Sequence, residues 1–250
     1  MKSINLSDAA VPPGVRLYVV GDLHGRHDLL LALFAKIEAE AAAAPETQQE
    51  LIFLGDYIDR GLHVRQTLDW LIAFPQTAAG KNFRLTCLKG NHEALLLKFL
   101  THPETGQIWL ENGAHETLMA FGLRISSLQP KPETFQHLSQ QLKLKLADKY
   151  LTFLSRLPLA RTVGDYFFTH AGIDPDRPVG RQKPADLLWI RDKFLQSDRQ
   201  YEKIIVHGHS ITPLPDVRPN RIGIDTGAYA TGRLTCLVLH GNQREFLHIL

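Results

Sequence analysis

Early in the chain, apolar and β-branched residues run almost without interruption over Val15 to Val20, Leu51 to Leu54 and Phe83 to Leu88, and each run stops at a glycine-containing polar box. Short runs bounded in this way predict buried strands. Between the first two, Asp28 to Ala44 carries Leu29, Leu30, Leu33, Phe34 and Ile37 at three- and four-residue spacing, with an alanine-rich tail that Pro45 ends, which predicts a helix. Val64 to Phe74, with Leu68, Leu71 and Ile72 on one face and Pro75 as the stop, predicts a second. Two successive βαβ units follow. Three parallel strands would then deliver three polar boxes to one sheet edge.

The middle of the chain changes character. Ala94 to Leu157 reads as mainly helical, over Ala94 to Leu100, Gln107 to Phe121 and, beyond a polar stretch through Pro130 and Pro132, Glu133 to Ser155. We expect a helical cap here, with Leu95, Leu96, Phe99 and Leu100 in the core. Strand signals return at Tyr166 to Thr169, Lys203 to Val206, Arg221 to Ile224, Leu234 to Leu239 and Glu245 to Ile249, which predicts a second, partly antiparallel sheet. No repeat or linker divides the chain, so a single domain over 1–250 is expected, with 94–157 as an insertion within it.

Composition narrows the classes. With 250 residues, 44% hydrophobic and 22% charged, the chain is an ordinary globular α/β protein. The formal net charge is only +2 and the 28 Lys and Arg are scattered, so neither nucleic acid nor a membrane is expected as a partner. Cys87 and Cys236 lie far apart inside apolar runs, as two small buried thiols in a reducing compartment would. Met1 to Pro13 lacks a basic segment followed by an apolar one, and a cytoplasmic location is expected.

Five boxes carry the chemistry: Gly21-Asp22-Leu23-His24-Gly25, Gly55-Asp56-Tyr57-Ile58-Asp59-Arg60-Gly61, Gly90-Asn91-His92-Glu93, His170-Ala171-Gly172 and His207-Gly208-His209-Ser210. Each directly follows an apolar run, so Asp, His and Asn would stand at the carboxyl ends of strands, where open α/β folds place their sites. Carboxylate and imidazole together suit Mn²⁺, Fe or Zn²⁺ better than Ca²⁺, and the absence of thiolate argues against a structural zinc site. Taken singly, Asp22, His24, Asp56 and Asn91 could equally cap loops. Taken jointly, the ordered set points to a two-metal phosphoesterase centre.

In their order, these boxes resemble the calcineurin-like metallophosphoesterases, and more closely their phosphoprotein phosphatase branch, which the Asp59-Arg60-Gly61 sequence of the second box marks. Trp109-Leu110-Glu111-Asn112-Gly113-Ala114-His115-Glu116-Thr117, Leu188-Trp189-Ile190-Arg191 and Ile224-Asp225-Thr226-Gly227-Ala228 resemble the bacterial, lambda-phage-type members. The likeness runs from about residue 15 to about residue 240, and Leu23 stands where the family more often has Ile. It implies a four-layer α/β fold, two mixed β-sheets sandwiched between helices. It also implies two divalent metal ions, the first held by Asp22 and His24, the second by Asn91, His170 and His209, with Asp56 bridging. A bridging carboxylate brings the cations to roughly 3.5 to 4 Å, so that a shared water ionises and attacks phosphorus directly. By the same resemblance His92 is the proton donor to the leaving oxygen, Asp59 its orienting partner, and Arg60 and Arg191 the phosphoryl-binding pair.

Blander readings stand beside these. Arg191 could lie over Trp189 and Ile190, and Asp59 could simply pair with Arg60. His207 reads as a supporting residue, His27, His63, His102, His115, His137, His240 and His248 as packing or surface residues, and Glu93 as the cap of the helix beginning there. Tyr229 could lean into the site or sit exposed on its loop. The resulting expectation is a metal-dependent phosphomonoesterase, a serine/threonine phosphoprotein phosphatase with Mn²⁺ as the favoured metal and phosphorylated protein or a small phosphoester as substrate. A symmetrical diadenosine tetraphosphate hydrolase is the alternative, although the cap shows no aromatic pair for adenine. An inactive binding module or a nuclease ranks lower, because every ligand type is present and no basic stripe is. No motif bears on oligomeric state.

Overall fold

The computed structural model describes residues 3–45, 47–125 and 130–250. In chain order the strands and helices are β1 (Val15–Val20), α1 (His27–Ala42), β2 (Gln48–Phe53), α2 (Val64–Ala73), β3 (Phe83–Cys87), α3 (Asn91–Thr101), α4 (Gly106–Glu111), α5 (His115–Ala120), α6 (Pro132–Lys145) and α7 (Asp148–Arg156). They continue through β4 (Ala160–Val163), β5 (Tyr166–Thr169), α8 (Pro184–Trp189), α9 (Asp192–Leu195), β6 (Ile204–His207), β7 (Asp216–Val217), β8 (Arg221–Gly223), α10 (Ala228–Thr231), β9 (Leu234–His240) and β10 (Gln243–Ile249). Among the described residues the strands form two five-stranded mixed sheets, ordered β10-β9-β1-β2-β3 and β4-β5-β6-β8-β7. No helix among the described residues is long and apolar enough to cross a membrane.

Strand periodicity builds the layers. Along β1, Leu17 and Val19 face the second sheet, where they meet Phe168, Ile204, Val206 and Ile222, while Tyr18 and Val20 face the opposite way into the cluster formed with α1, α2 and the helices of the insertion. A third cluster, with Phe167, Ile205, Leu187 and Phe194, joins the outer face of the second sheet to α8 and α9. Helices, sheet, sheet and helices thus make the four expected layers. Each fully buried aliphatic or aromatic side chain contributes about 1.5–3 kcal/mol to holding them together.

Register sets the site edge. Val20 pairs with Phe53 and Phe53 with Cys87 in parallel ladders, so β1, β2 and β3 end level and their boxes emerge side by side. In the second sheet Phe168 pairs with Val206 and His207 with Gly223, which brings the segments after β5, β6 and β8 to one edge as well.

Three sequence expectations change. The strands at 234–239 and 245–249 return to the first sheet, with β9 antiparallel to β1 and β10 antiparallel to β9. Their burial explains it: β9 is buried along nearly its whole length and needs a neighbour on each side, whereas β10 is largely half-exposed and takes the edge. The helix expected over Gln107 to Phe121 breaks between α4 and α5, because Gly113 takes φ +96 with its backbone against Arg60; a Cβ there would lie 2.7 Å from Arg60 Cγ. The stretch expected over Glu133 to Ser155 divides at Leu146 into α6 and α7. Part of the preceding polar stretch, 126–129, lies outside the described residues. Helices α3 to α7 pack their apolar faces into the same cluster as α1 and α2, and α4 and α5 reach the end of the second box.

Candidate metal centre

Five non-glycine residues among those described have positive φ: His24 (+42), Asp56 (+53), Asp59 (+67), Arg60 (+68) and His209 (+63). All five lie in the polar boxes. Left-handed backbone costs such residues of order 1–3 kcal/mol each and persists only where the surroundings over-determine it. Glu93 supplies much of that restraint. Its Oε2 accepts the amides of Gly90 and Asp56 at 2.9 Å, and its Oε1 accepts that of Tyr57 at 2.8 Å. The expected helix cap is therefore also a clamp on the Asp56 loop.

Asp56 is the centre of the cluster. Its Oδ2 lies 3.5 Å from His24 Nε2, 3.4 Å from His170 Nε2 and 3.7 Å from His92 Nε2. His24 gives its Nδ1–H to the Ile58 carbonyl at 2.9 Å, and His170 gives its own to Leu54 at 3.0 Å, so both Nε2 atoms turn bare electron pairs inward. His170 Nε2 also meets Asn91 Oδ1 at 2.8 Å and His209 Nδ1 at 3.2 Å. Asp22 closes the group from β1, accepting the His209 amide at 3.1 Å on Oδ2. Two sets of donor atoms lie close enough to share an ion, His24 with Asp56 and His92, and Asp56 with His170 and His209.

These residues fit a pair of cations. Acceptor atoms 3 Å apart repel one another unless positive charge lies between them, and carboxylate, imidazole and carboxamide oxygen are suitable donors for divalent ions. His209 Nε2 is buried without a partner, and no Lys or Arg pairs with Asp22 or Asp56 among the described residues. Burial pushes the Asp22 carboxyl well up, reinforced by Asp225 and Asp56. It pushes Asp56 up too, with Glu93 adding to it. The imidazoles of His24, His170 and His209 are pushed down, first by burial and then by neighbouring histidines, and stay in the neutral form that ligates. Asp22 and Asp56 each also accept a backbone amide, so loop capping and ligation coincide in the same side chains.

The other predicted residues surround this cluster. His92 Nδ1 lies 2.7 Å from Asp59 Oδ2. Burial, helped by Arg60 and Arg191, pushes the imidazole down to about 3. Asp59 is pushed up to about 8 by burial, against hydrogen bonds from Thr117 and Trp109 that pull it down. Asp59 and Arg60 turn to different partners: Arg60 reaches His24 Nε2 at 3.3 Å and the Asn112 carbonyl at 3.4 Å, and stacks over Tyr229 at 4.7 Å. Arg191 donates to the His209 carbonyl at 3.3 Å and Ser210 Oγ at 3.4 Å. The two guanidinium groups thus flank the centre, one beside His24 and one beside His209.

Some neighbours of the site were not assigned from sequence. Tyr229 leans in, its ring edge-on to His24 at 5.2 Å between centroids. Trp189, 39% exposed, stands edge-on to His209 at 6.1 Å. Asp225 sits behind Asp22, its carboxyl pushed up to about 6 by burial. Trp109 and Thr117 contact Asp59 directly. Their signal was present in the tryptophan-led motif of the insertion, which carried a likeness but no role.

Fold and site together define a hydrolase of phosphoric esters that works with divalent metal ions. A profile of the calcineurin-like phosphoesterases matches residues 15–240, and the chain belongs to that family. It is similar to serine/threonine-protein phosphatase 2 of Salmonella typhimurium, 26% identical over 88% of this chain and 90% of the relative. Among solved structures, one described as a candidate diadenosine tetraphosphatase aligns with TM-score 0.63 at 19% identity, covering 98% of this chain and 99% of its own. The cold-active protein-tyrosine phosphatase of a psychrophile Shewanella aligns with TM-score 0.58 at 17% identity, over 96% of this chain and 82% of its own. Such distant structures share the fold, and their different names show that one fold serves several phosphorylated substrates.

Proposed function

We propose that this protein is a serine/threonine phosphoprotein phosphatase with Mn²⁺ as its working metal. Asp22, His24 and Asp56 would hold one cation, and Asp56, Asn91, His170 and His209 the other. When bound, the pair supplies a shared water that ionises near neutral pH and positive charge to match the phosphoryl oxygens. The observation that supports this most is the meeting of three imidazole Nε2 atoms within 3.7 Å of one Asp56 oxygen.

The chain's own groups do the remaining work. Arg60 and Arg191 grip the phosphoryl oxygens from opposite sides, since a planar guanidinium matches two oxygens and offsets charge that grows in the transition state. His92 differs from its neighbours in one respect: it gives Nδ1–H to a carboxylate, where His24 and His170 give theirs to carbonyls. An ionised Asp59 favours the charged imidazolium, and an arriving phosphoryl dianion cancels the charge of Arg60 and Arg191, which add to burial in holding His92 neutral. His92 Nε2 then hands its proton to the leaving oxygen. A cytoplasmic setting accords with the two buried free cysteines.

The test is a comparison of kcat/KM on a phosphoseryl peptide, diadenosine tetraphosphate and p-nitrophenyl phosphate, using purified protein loaded with Mn²⁺. The peptide is expected to be the best substrate of biological type. A clear preference for the dinucleotide replaces this reading with the hydrolase alternative, and inactivity on all three ends it. Turnover in isotope-labelled water is expected to place one solvent oxygen in the released phosphate, with no trappable phosphoryl-enzyme.

A further inference from the structure

Asp59 is fully buried, and both of its oxygens are held from outside the metal boxes. Trp109, from α4, donates its indole N–H to Oδ2 at 2.9 Å, the same oxygen that faces His92 Nδ1. Thr117, from α5, accepts the Asp59 amide at 2.9 Å and donates its hydroxyl to Oδ1. Trp109 and Thr117 are themselves buried, at 1% and 0% exposure, and the Trp109 ring is fixed against Phe99 at 5.1 Å. The turn joining the two helices receives the Arg60 amide on the Gly113 carbonyl at 3.0 Å.

We infer that Trp109 and Thr117 are positioning residues for proton donation, acting on His92 through Asp59. The chemistry is directional. An indole N–H can only donate, so the oxygen it meets keeps electron pairs turned outward and leaves the proton of the Asp59–His92 contact on Nδ1. Nε2 is then the atom that faces the reacting bond. The Thr117 hydroxyl ties the backbone and side chain of Asp59 to one atom, which holds its left-handed conformation and its carboxylate plane together. A hydrogen-bond chain from the insertion therefore aims the ring of His92, and the α4–α5 turn is part of the leaving-group side of the site. The inference rests on His92 being the proton donor of the proposed reaction.

Its effect falls on one step, transfer of a proton to the leaving oxygen, and that step matters in proportion to how poor the leaving group is. Thr117→Val keeps shape and removes the hydroxyl; Trp109→Phe keeps an aromatic ring and removes the N–H; Thr117→Ser keeps the hydroxyl. The experiment measures kcat and KM of each, with His92→Ala alongside, on a phosphoseryl peptide and on p-nitrophenyl phosphate, together with metal content and the denaturant midpoint. Thr117→Val and Trp109→Phe are expected to lose about 10–100-fold in kcat on the peptide. On the nitrophenyl ester, whose leaving group departs as an anion, they are expected to lose only a few-fold. KM and metal content should be unchanged, and Thr117→Ser should restore the peptide rate. Equal losses on both substrates, wild-type rates on both, or loss of metal overturn the inference. If His92→Ala shows the leaving-group dependence and the two variants do not, the positioning role alone fails. If His92→Ala lacks it, the assignment of His92 as proton donor fails and takes the inference with it. Should Thr117→Val not fold, Trp109→Phe and Thr117→Ser carry the same decision.

Discussion

The two sides of the centre are finished to different degrees. On the side of Asp22, Asp56, His170 and His209, acceptor atoms crowd against acceptor atoms, a buried imidazole nitrogen has no partner, and two buried carboxylates have no basic residue paired with them among the described residues. Behind His92, by contrast, the carboxylate is satisfied within the protein: Asp59 takes donors from His92, Trp109 and Thr117. A buried polar network that is fully satisfied holds one geometry, whereas an unsatisfied one is stable only when something else completes it. On the proposed reading one side is a receptacle for cations and the other a preset lever for a proton. The contrast predicts that metal content and turnover can be separated by mutation.

The sharpest break is at Asp56. Asp56→Asn is expected to reduce bound metal from two ions per chain to less than one by elemental analysis, and to lower kcat/KM by about 10³-fold or more. Chelation of the wild type should lower its denaturant midpoint, because the ions bind only the folded chain, and should leave Asp56→Asn nearly unchanged. His92→Ala tests the other side: two metals retained, with kcat down by about 10²–10⁴-fold. Wild-type rate in that variant, or loss of its metals, would erase the distinction between the sides. Glu93→Gln probes the clamp beneath both. Four backbone amides meet its carboxylate, and hydrogen bonds to a charged acceptor are worth about 1.5–3 kcal/mol, so a stability loss of about that size is expected in urea titration.

Smaller effects mark the rim. Arg191→Lys keeps a charge and loses the planar fork, and a KM increase of about tenfold with metal content unchanged is expected. Asp174, beyond the fourth box, is a control belonging to neither side. Hydrogen bonding from Lys193 holds its carboxyl below the usual range, with Asp176 and Arg177 contributing. A depressed carboxyl stabilises the fold above its unfolded value of about 3.9 and stops doing so as pH falls through its folded value. Asp174→Asn should therefore cost a little stability at pH 7 and progressively less as pH falls below the unfolded value, with kcat unaffected at neutral pH.

Residues whose signals are local are legible in the amino-acid order alone. The first three boxes follow strands 34 and 35 positions apart, from Asp22 to Asp56 and on to Asn91, and that spacing is the length of a βαβ unit whose parallel strands end level. The direction in which Trp109 and Thr117 point is not legible there, because the helix pattern through Gln107 to Phe121 gives no sign that Arg60 must pass against Gly113. The aromatic residues beside the centre, Tyr229 and Trp189, come instead from the segments after β8 and β5, outside the helical region 94–157.

The sequence by itself determined the candidate ligand types, their order and the alternation that sends Leu17 and Val19 one way and Tyr18 and Val20 the other, since these depend on neighbours two to four residues away. Only the tertiary structure decided that β9 returns beside β1, that His170 and His209 meet Asn91 and Asp56, and that five residues are held in left-handed backbone. Those outcomes depend on which surfaces bury each other across more than a hundred residues of chain, and burial is a property of the assembled layers that no local period encodes.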